Sequence, residues 1–423
     1  MPVRQLPVCP NLDQLKRQAK DLLRDLRAGD TAAIAELREF HPNAIDPAAA
    51  KLADAQLVLA RSYEAPSWTR LVQATELVNA IWEGDVDTVR RLVARNPHLV
   101  HENALIRKNS NWGPPMTYAA NLGRDEIILM LYDLGARDLQ SAIDRATLQS
   151  KITTARMLHE MAGRPIPPEG ALAGAAYTLS AEGTAFALEV GAKVYAEDGR
   201  RVAPVDVVLE TDSRRPKAKH AILEMYADHG FIFPDTPTMA LHRGRIDLLE
   251  AHLRRDPSVL DRTFSHEEIY PPEMGCKAER DATVGTPLDG TTLLHMCADY
   301  DEIEIAEWLI ANGADVNAKA RVGTSGFGGY TPLFCTVVSQ PNFWMNFRDR
   351  GPFVAPFTEL LLRNGADPNV RASIWKQLHP GYLDSTRREY RDVTALSWGR
   401  GFIPKVFVSE PAMELIASAG GVE

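Results

Sequence analysis

The chain has 423 residues, of which 45% are hydrophobic and 24% are charged, and its formal net charge is −9. This composition supplies enough apolar material for packed cores and excludes the disordered, collagen-like and disulfide-rich classes of protein. The negative net charge argues against a general affinity for nucleic acid or for anionic membranes.

The first twenty residues lack the apolar run of a secretory signal, and no later stretch has the apolar length that spans a bilayer. We therefore expect a cytoplasmic protein that does not bind membranes. The four cysteines are scattered without a CxxC pair, which predicts reduced thiols and neither a disulfide framework nor a structural zinc site. They are Cys9, Cys276, Cys297 and Cys335.

Residues 1–76 carry a helical pattern. Asn11 is suited to cap an amphipathic helix whose leucines recur along one stripe from residue 12 to residue 26. The stretches AGDTAAIAELREFHP and KLADAQLVLARSYEAPSWTRLV continue with further helix pairs. We expect residues 1–76 to form a helical N-terminal cap with a structural role.

From residue 77 onward the sequence repeats one order of parts: a short helix, a turn, a second helix and a stop. Several copies are degenerate, and a chain of such copies predicts stacked units that cover each other's apolar faces. The copies before residue 262 lie at 77–97, 113–138, 139–163, around Gly191-Ala192, at 203–230 and at 236–260.

The clearest copy is DGTTLLHMCADYDEIEIAEWLIANGADVNAKA at 289–320. Asp289-Gly290 is a turn pair suited to positive φ, and Thr292 follows in position to cap a short helix. The spacing predicts a second helix over 303–311, which Gly313 ends by adopting the left-handed conformation. This hairpin is too small to cover its own apolar face and requires neighbours of the same shape.

Residues 329–369 repeat this order with GYTPLFCTVV and then FTELLLRNGADPN. Thr331-Pro332-Leu333 and Leu361-Leu362-Arg363-Asn364-Gly365-Ala366-Asp367 match the pattern of the ankyrin repeat family, which the chain resembles. The resemblance places His295 where the family has a histidine that forms hydrogen bonds within and between repeats.

The resemblance implies an all-α fold: an ankyrin-repeat solenoid of about nine repeats over 77–423. The N-terminal cap, 1–76, resembles the leader found on many bacterial ankyrin proteins. A final copy, DVTALSWGRGFIPKV followed by MELIASAGG, closes the array.

Three long insertions interrupt the second half of the array, near 262–288, 339–356 and 371–392. Long loops inside a compact array are usually functional or disordered, and this composition favours order. The second and third interleave aromatic and arginine side chains, a mixture that dominates binding hot spots. The first is acidic and contains Glu267, Glu268, Glu273, Glu279 and Asp281. Three insertions on consecutive repeats could fold over one groove and build a pocket.

Two other patterns favour structural roles. GTSGFGGY at 323–330 has no following Lys-Ser/Thr and no strand-to-helix context, so we interpret it as a repeat turn and not as a phosphate loop. Cys297 and Cys335 both occupy the small buried position of the repeat, which favours core packing over metal binding. The sequence predicts no metal site and no cofactor.

Two functional hypotheses remain. The first is an interaction scaffold that binds a protein partner through its concave groove and extended loops. The resemblance implies that exposed positions of the short helices carry its specificity, including Tyr118, Met296, Tyr300, Phe334 and Trp398. The second is an enzyme or receptor for a small molecule or glycan, with a pocket built from the insertions and paired carboxylates that share acid and base work. We do not expect nucleic acid to bind. The candidate binding residues are Tyr118, Glu268, Tyr270, Tyr300, Phe334, Trp344, Arg348, Trp375, Tyr382 and Trp398.

Overall fold

The computed structural model describes residues 4–107, 110–211, 214–338, 354–378 and 387–423. The chain divides into two compact units, residues 1–166 and 167–423. In each unit, consecutive helices pack in pairs and each pair packs on the next. In unit 1, for example, the helix at Trp68–Glu83 packs on the helices at Val86–Arg95 and Pro115–Leu122.

Unit 1 is helical where the structure describes it. Its helices are α1 (Leu12–Arg27), α2 (Thr31–Phe40), α3 (Leu52–Ser62), α4 (Trp68–Glu83), α5 (Val86–Arg95), α6 (Pro115–Leu122), α7 (Asp125–Asp133), α8 (Leu139–Leu148) and α9 (Ile152–Met161). Short 3-10 turns lie at Pro47–Ala49 and Pro97–Val100.

Local residue chemistry explains where these helices begin and end. Asn11 caps α1, as predicted, because its side-chain oxygen accepts a hydrogen bond from the Gln14 N–H at 2.9 Å. Gly84 and Gly123 end α4 and α6 in the left-handed conformation, with φ of 82° and 68°. Leu22 and Leu26 of α1 lie in an apolar core shared with Leu37 and Val58.

Unit 2 contains the remaining helices and two strands. They are α10 (Ala173–Tyr177), α11 (Ala181–Glu189), α12 (Val205–Leu209), α13 (Pro216–Asp228), α14 (Pro237–His242), α15 (Ile246–Arg255), α16 (His266–Ile269), α17 (Leu293–Tyr300), α18 (Ile303–Ala311), α19 (Pro332–Val337), α20 (Pro356–Arg363), β1 (Ala372–Lys376), β2 (Arg388–Val393), α21 (Ala395–Gly401) and α22 (Glu410–Ser418). The 3-10 turns are Pro257–Leu260, Pro272–Met274, Glu279–Asp281 and Lys405–Phe407.

The apolar core of unit 2 passes through successive helix pairs. One cluster of buried side chains extends from Ala240 in α14 to Ile416 in α22. The contacts explain this continuity, because α17 packs on α19 and α19 packs on α21, while the partner helix α18 packs on α20. Burial of these shared faces is what stabilises helices this short.

The predicted hairpin at 289–320 is confirmed in detail. Thr292 is the N-cap of α17, the second helix covers Ile303–Ala311, and Gly290 and Gly313 have φ of 71° and 100°. These features depend on residues that lie close together in the chain.

The all-α expectation is confirmed in its main part, since the described residues are mostly helical.

The third insertion contains a feature that the sequence analysis did not predict, the antiparallel pair β1–β2. Ile374 lies opposite Tyr390 and Trp375 lies opposite Glu389, with an irregularity between Ala372 and Ile374. The number of repeats, their arrangement as a solenoid and the division of the chain at residues 76 and 77 remain predictions.

Among the residues that the structure describes, no helix combines the length and apolarity that a membrane crossing requires.

Candidate interaction surface

His295 links the hairpin at 289–320 to the segment that follows it. The Nε2–H donates to the Tyr330 carbonyl at 3.0 Å, so Nδ1 is the acceptor for the Thr292 hydroxyl at 2.9 Å and the Thr292 N–H at 3.3 Å. Burial lowers the pKa of His295 to about 4, which keeps this tautomer neutral. The predicted hydrogen bonds within and between repeats are therefore present.

The first insertion packs onto the start of this hairpin. The Phe264 N–H donates to the Thr291 carbonyl at 2.8 Å, and the Gly290 N–H donates to the Phe264 carbonyl at 2.8 Å. The side chains of Phe264 and Ile269 are fully buried in the unit 2 core. The insertion is thus an ordered part of unit 2.

The first and third insertions meet through backbone hydrogen bonds. The Val284 N–H donates to the Gln377 carbonyl at 2.6 Å, and the Gln377 N–H donates to the Val284 carbonyl at 2.9 Å. The glycine-rich turn joins them, because Gly328 and Ser373 exchange hydrogen bonds of 2.8 and 3.3 Å. We call the surface formed by residues 279–284, 321–330, 371–378 and 387–393 the loop platform.

Two arginines cover a small apolar cluster on the loop platform. Val284, Phe327 and Trp375 are buried together. The Arg387 guanidinium carbon lies 4.2 Å from the centroid of the Trp375 ring, and that of Arg391 lies 4.2 Å from the centroid of the Phe327 ring. Both arginines are exposed, so they present cationic groups to solvent from fixed positions.

Strand alternation places these groups on one side of the hairpin. Trp375 is opposite Glu389, and Arg387 and Arg391 lie two residues to either side of Glu389, on the same face. On the opposite face, the Tyr390 ring contacts the buried Trp398 ring with centroids 4.8 Å apart. One face of the hairpin therefore packs on the helices and the other builds the loop platform.

Gly328 allows the turn to approach this hairpin. Its φ is 132°, and a Cβ added at this position would lie 2.2 Å from the Arg321 carbonyl oxygen. Val322, which this turn approaches, is 61% exposed. The loop platform therefore combines cationic and apolar groups.

Exposed carboxylates lie within reach of these cations. Arg391 is 3.3 Å from Glu389, and Arg321 is 3.5 Å from Asp289. Each of these side chains is more than a third exposed, so the pairs are weak and their arginines can exchange partners.

Several predicted binding residues do not lie on an exposed surface. The expected exposure of Tyr118, Met296, Tyr300, Phe334 and Trp398 is wrong, because each of these side chains is at most 3% exposed. Tyr118 is hydrogen-bonded to the Val8 carbonyl in unit 1, and the other four side chains lie in the unit 2 core.

Tyr300 lies inside a polar network of unit 2. Its hydroxyl donates to the Leu209 carbonyl at 2.9 Å and lies 2.5 Å from the Tyr270 hydroxyl of the first insertion. The Lys219 ammonium lies 3.6 Å from the centroid of the Tyr300 ring and 2.7 Å from His242 Nδ1. Tyr270 is partly buried by these contacts and does not belong to the loop platform.

Trp398 packs edge-on against Phe402 as well as Tyr390, with centroids 5.1 Å apart in the first case. Phe334 lies 6.3 Å from the Tyr330 ring in the same core. Of the predicted aromatic residues, Trp375 contributes directly to the loop platform. Trp344, Arg348 and Tyr382 lie outside the described residues.

Glu268 has a structural role in the first insertion. Its carboxylate accepts the Ser265 N–H at 2.8 Å, which closes a capping box on α16, and it forms an ion pair with Arg262 at 2.9 Å. It also lines a cavity of about 290 Å³ together with Asp235 and Asp256.

The other two carboxylates of this cavity are also engaged. Hydrogen bonds from Arg255 hold the pKa of Asp235 below its ordinary value, and hydrogen bonds from Ser258 do the same for Asp256. A lowered pKa is the opposite of what a general acid at neutral pH requires. The cavity therefore gives no support to paired-carboxylate catalysis. Within the described ranges, no group of three or more His, Cys, Asp or Glu side chains is arranged to hold a metal ion.

Comparison with known protein families gives a match in the hairpin at 289–320. Residues 289–321 match the family model described as "Ankyrin repeat". A crystal structure of the human ASB11 ankyrin repeat domain is similar at 16% identity, with a TM-score of 0.24, over 73% of this chain and 99% of that chain. No curated protein matches the chain. The matched residues contain α17, α18 and the bridging His295, so this hairpin is similar to an ankyrin repeat.

Proposed function

We propose that this chain is an interaction protein that binds a protein partner through the loop platform. Ankyrin repeats are generally protein-interaction modules. We assign binding to the loop platform and not to the short helices because the helix positions expected to carry specificity are buried.

The observation that carries the proposal is the pair of arginines stacked on a buried aromatic cluster. Stacking at 4.2 Å restricts Arg387 and Arg391 before a partner arrives, so binding costs less side-chain entropy. Arginine is enriched among the residues that dominate interface energies and can bind a carboxylate through two parallel hydrogen bonds.

The charge of the platform indicates the chemistry of the partner. Arg387, Arg388 and Arg391 are all exposed on a chain whose net charge is −9. An acidic segment of the partner, with an apolar side chain to contact Val322, would complement this surface. Such binding would weaken as ionic strength rises.

The proposal is tested with a pair of charge-reversal variants. Arg387→Glu with Arg391→Glu alters the platform, and Arg90→Glu with Arg91→Glu makes the same change in net charge on exposed residues of α5 in unit 1. A partner captured by the wild-type chain and identified by mass spectrometry is purified, and its affinity for all three chains is measured.

We expect the platform variant to lose at least about a hundredfold in affinity, because two charge-assisted contacts of ~1.5–3 kcal/mol each become repulsive. The α5 variant should bind like the wild type. Equal affinity for all three chains would contradict binding at the loop platform.

A further inference from the structure

The N-terminal segment, residues 4–10, lies along the helices of unit 1 without regular secondary structure. It contacts α2, α3, α4 and α6 and the loop that precedes α6, through the side-chain and backbone groups described below. The contacts therefore join one short stretch to helices that are distant from it in the sequence.

Groups of unit 1 bind the backbone of this segment. The Tyr118 hydroxyl donates to the Val8 carbonyl at 2.5 Å, and the Asn79 amide donates to the Pro10 carbonyl at 2.8 Å. The Arg4 N–H donates to the Ser62 carbonyl at 2.7 Å. Backbone contacts of this kind recognise an extended peptide whatever its side chains are.

Two side chains of the segment add selectivity. Arg4 Nη2 lies 2.9 and 3.1 Å from the two carboxylate oxygens of Glu36. Leu6 is 3% exposed, so its apolar side chain is buried in unit 1. At the edge, Arg107 donates to the Gln5 side chain at 2.6 Å. The groove therefore selects a peptide that has a cationic residue and, two positions later, an apolar residue.

Two polar groups of the groove are buried while the segment is in place. The Glu36 side chain is 9% exposed and burial raises its pKa, while Arg4 provides the opposing charge. Tyr118 is fully buried and its hydroxyl donates to the segment. Removing the segment would break the Arg4–Glu36 ion pair and the hydrogen bond from Tyr118 to Val8, and another chain would have to supply a cation and a carbonyl group to restore them.

We propose that the unit 1 groove, lined by Glu36, Ser62, Asn79, Arg107 and Tyr118, is a peptide-binding site that the N-terminal segment occupies in cis. The partner is an extended protein segment with a basic residue two positions before an apolar residue, which binds when it displaces residues 4–10. This site lies in unit 1 and does not depend on the loop platform of unit 2.

The test uses the full chain and a synthetic peptide of residues 4–10 that carries Cys9→Ser. Arg4→Glu with Leu6→Asp in the chain should release the segment and open the groove. A tethered segment competes at an effective concentration of about millimolar, so we expect the peptide to bind this variant at least tenfold more tightly than the wild type. A peptide with Leu6→Asp is the matched control and should not bind.

Two further measurements keep the result interpretable. A spin label on Cys9, which is exposed while the other three cysteines are buried, should become more mobile in the released variant. Adding Tyr118→Phe to that variant should weaken peptide binding roughly threefold to tenfold, because it removes one hydrogen bond to the peptide backbone.

Equal peptide binding to the wild type and the released variant, or an unchanged label mobility, would overturn the proposal. So would a failure of the peptide to bind a released variant that melts at the wild-type temperature. A wild-type dimer that dissociates in the released variant would assign the groove to the N-terminal segment of a second copy and would also overturn it.

Discussion

Lys219 allows a quantitative test of the buried network in unit 2. The residue is 1% exposed, and its ammonium group contacts His242 Nδ1 and the face of Tyr300. His242 Nε2–H donates to the Ile269 carbonyl at 2.9 Å, so Nδ1 must accept the hydrogen bond from Lys219. Burial lowers the pKa of Lys219 to about 7, although the Glu302 carboxylate opposes this shift.

The direction of the pH dependence follows from these values. The unfolded chain binds the Lys219 proton up to the ordinary pKa of 10.5, whereas the folded chain releases it above about 7. Between these values the unfolded state holds more protons, so the free energy of unfolding increases as pH rises. For this one group the increase from pH 7 to pH 9 is about 2 kcal/mol.

The assay is urea unfolding of the wild type and of Lys219→Met at pH 7 and pH 9. Because the substitution removes the titration and leaves the other groups in place, the wild type should gain about 2 kcal/mol relative to the variant at the higher pH. Lys217→Met is the matched control, since Lys217 lies on the same helix with its side chain 88% exposed. A difference between wild type and Lys219→Met that does not change with pH would refute the reasoning.

Three further substitutions test the repeat and the turn beside it. Leu294→Ala should lower the free energy of unfolding by about 2–5 kcal/mol because Leu294 is 1% exposed in the unit 2 core, and an unchanged urea midpoint would contradict its burial. His295→Ala should cost about 1–3 kcal/mol by removing the bonds to Thr292 and the Tyr330 carbonyl, so wild-type stability would count against that link. Gly328→Ala should lower the melting temperature more than Gly323→Ala, whose added Cβ would come no closer than 3.8 Å to its neighbours; equal melting temperatures would argue against the close approach at Gly328.

Local features of the fold could be predicted from the sequence because they depend on neighbouring residues. The cap at Thr292, the second helix over 303–311 and the left-handed Gly313 each follow from a few adjacent positions. The packing of Cys297 and Cys335 in the core also follows the repeat pattern.

Exposure could not be predicted in the same way, because it depends on which distant segment covers a helix. Val8 binds Tyr118 from 110 positions away, and the first insertion supplies Tyr270 to Tyr300. A repeat pattern assigns these positions to an open face and contains no information on such contacts.

Part of the loop platform, the third insertion, could be identified from the sequence. The mixture of aromatic and arginine residues in the third insertion predicted a binding surface, which remains a prediction, and Trp375, Arg387 and Arg391 of this insertion lie on the loop platform. The sequence analysis did not predict that Phe327 and Val284 belong to the same cluster. Their contacts with Trp375 depend on how three separate segments align with one another, which the sequence does not give. The period-two placement of Arg387, Glu389 and Arg391 is the signal that could have indicated a strand.

Hydrogen exchange of backbone amides tests most directly whether the separate loops form one ordered surface. The amides of Val284, Gln377 and Gly328 each donate to a carbonyl of another platform segment, so we expect their exchange to be slowed at least about a hundredfold relative to unprotected amides. Exchange at the unprotected rate at all three positions would contradict a preformed loop platform and the binding function that we assign to it.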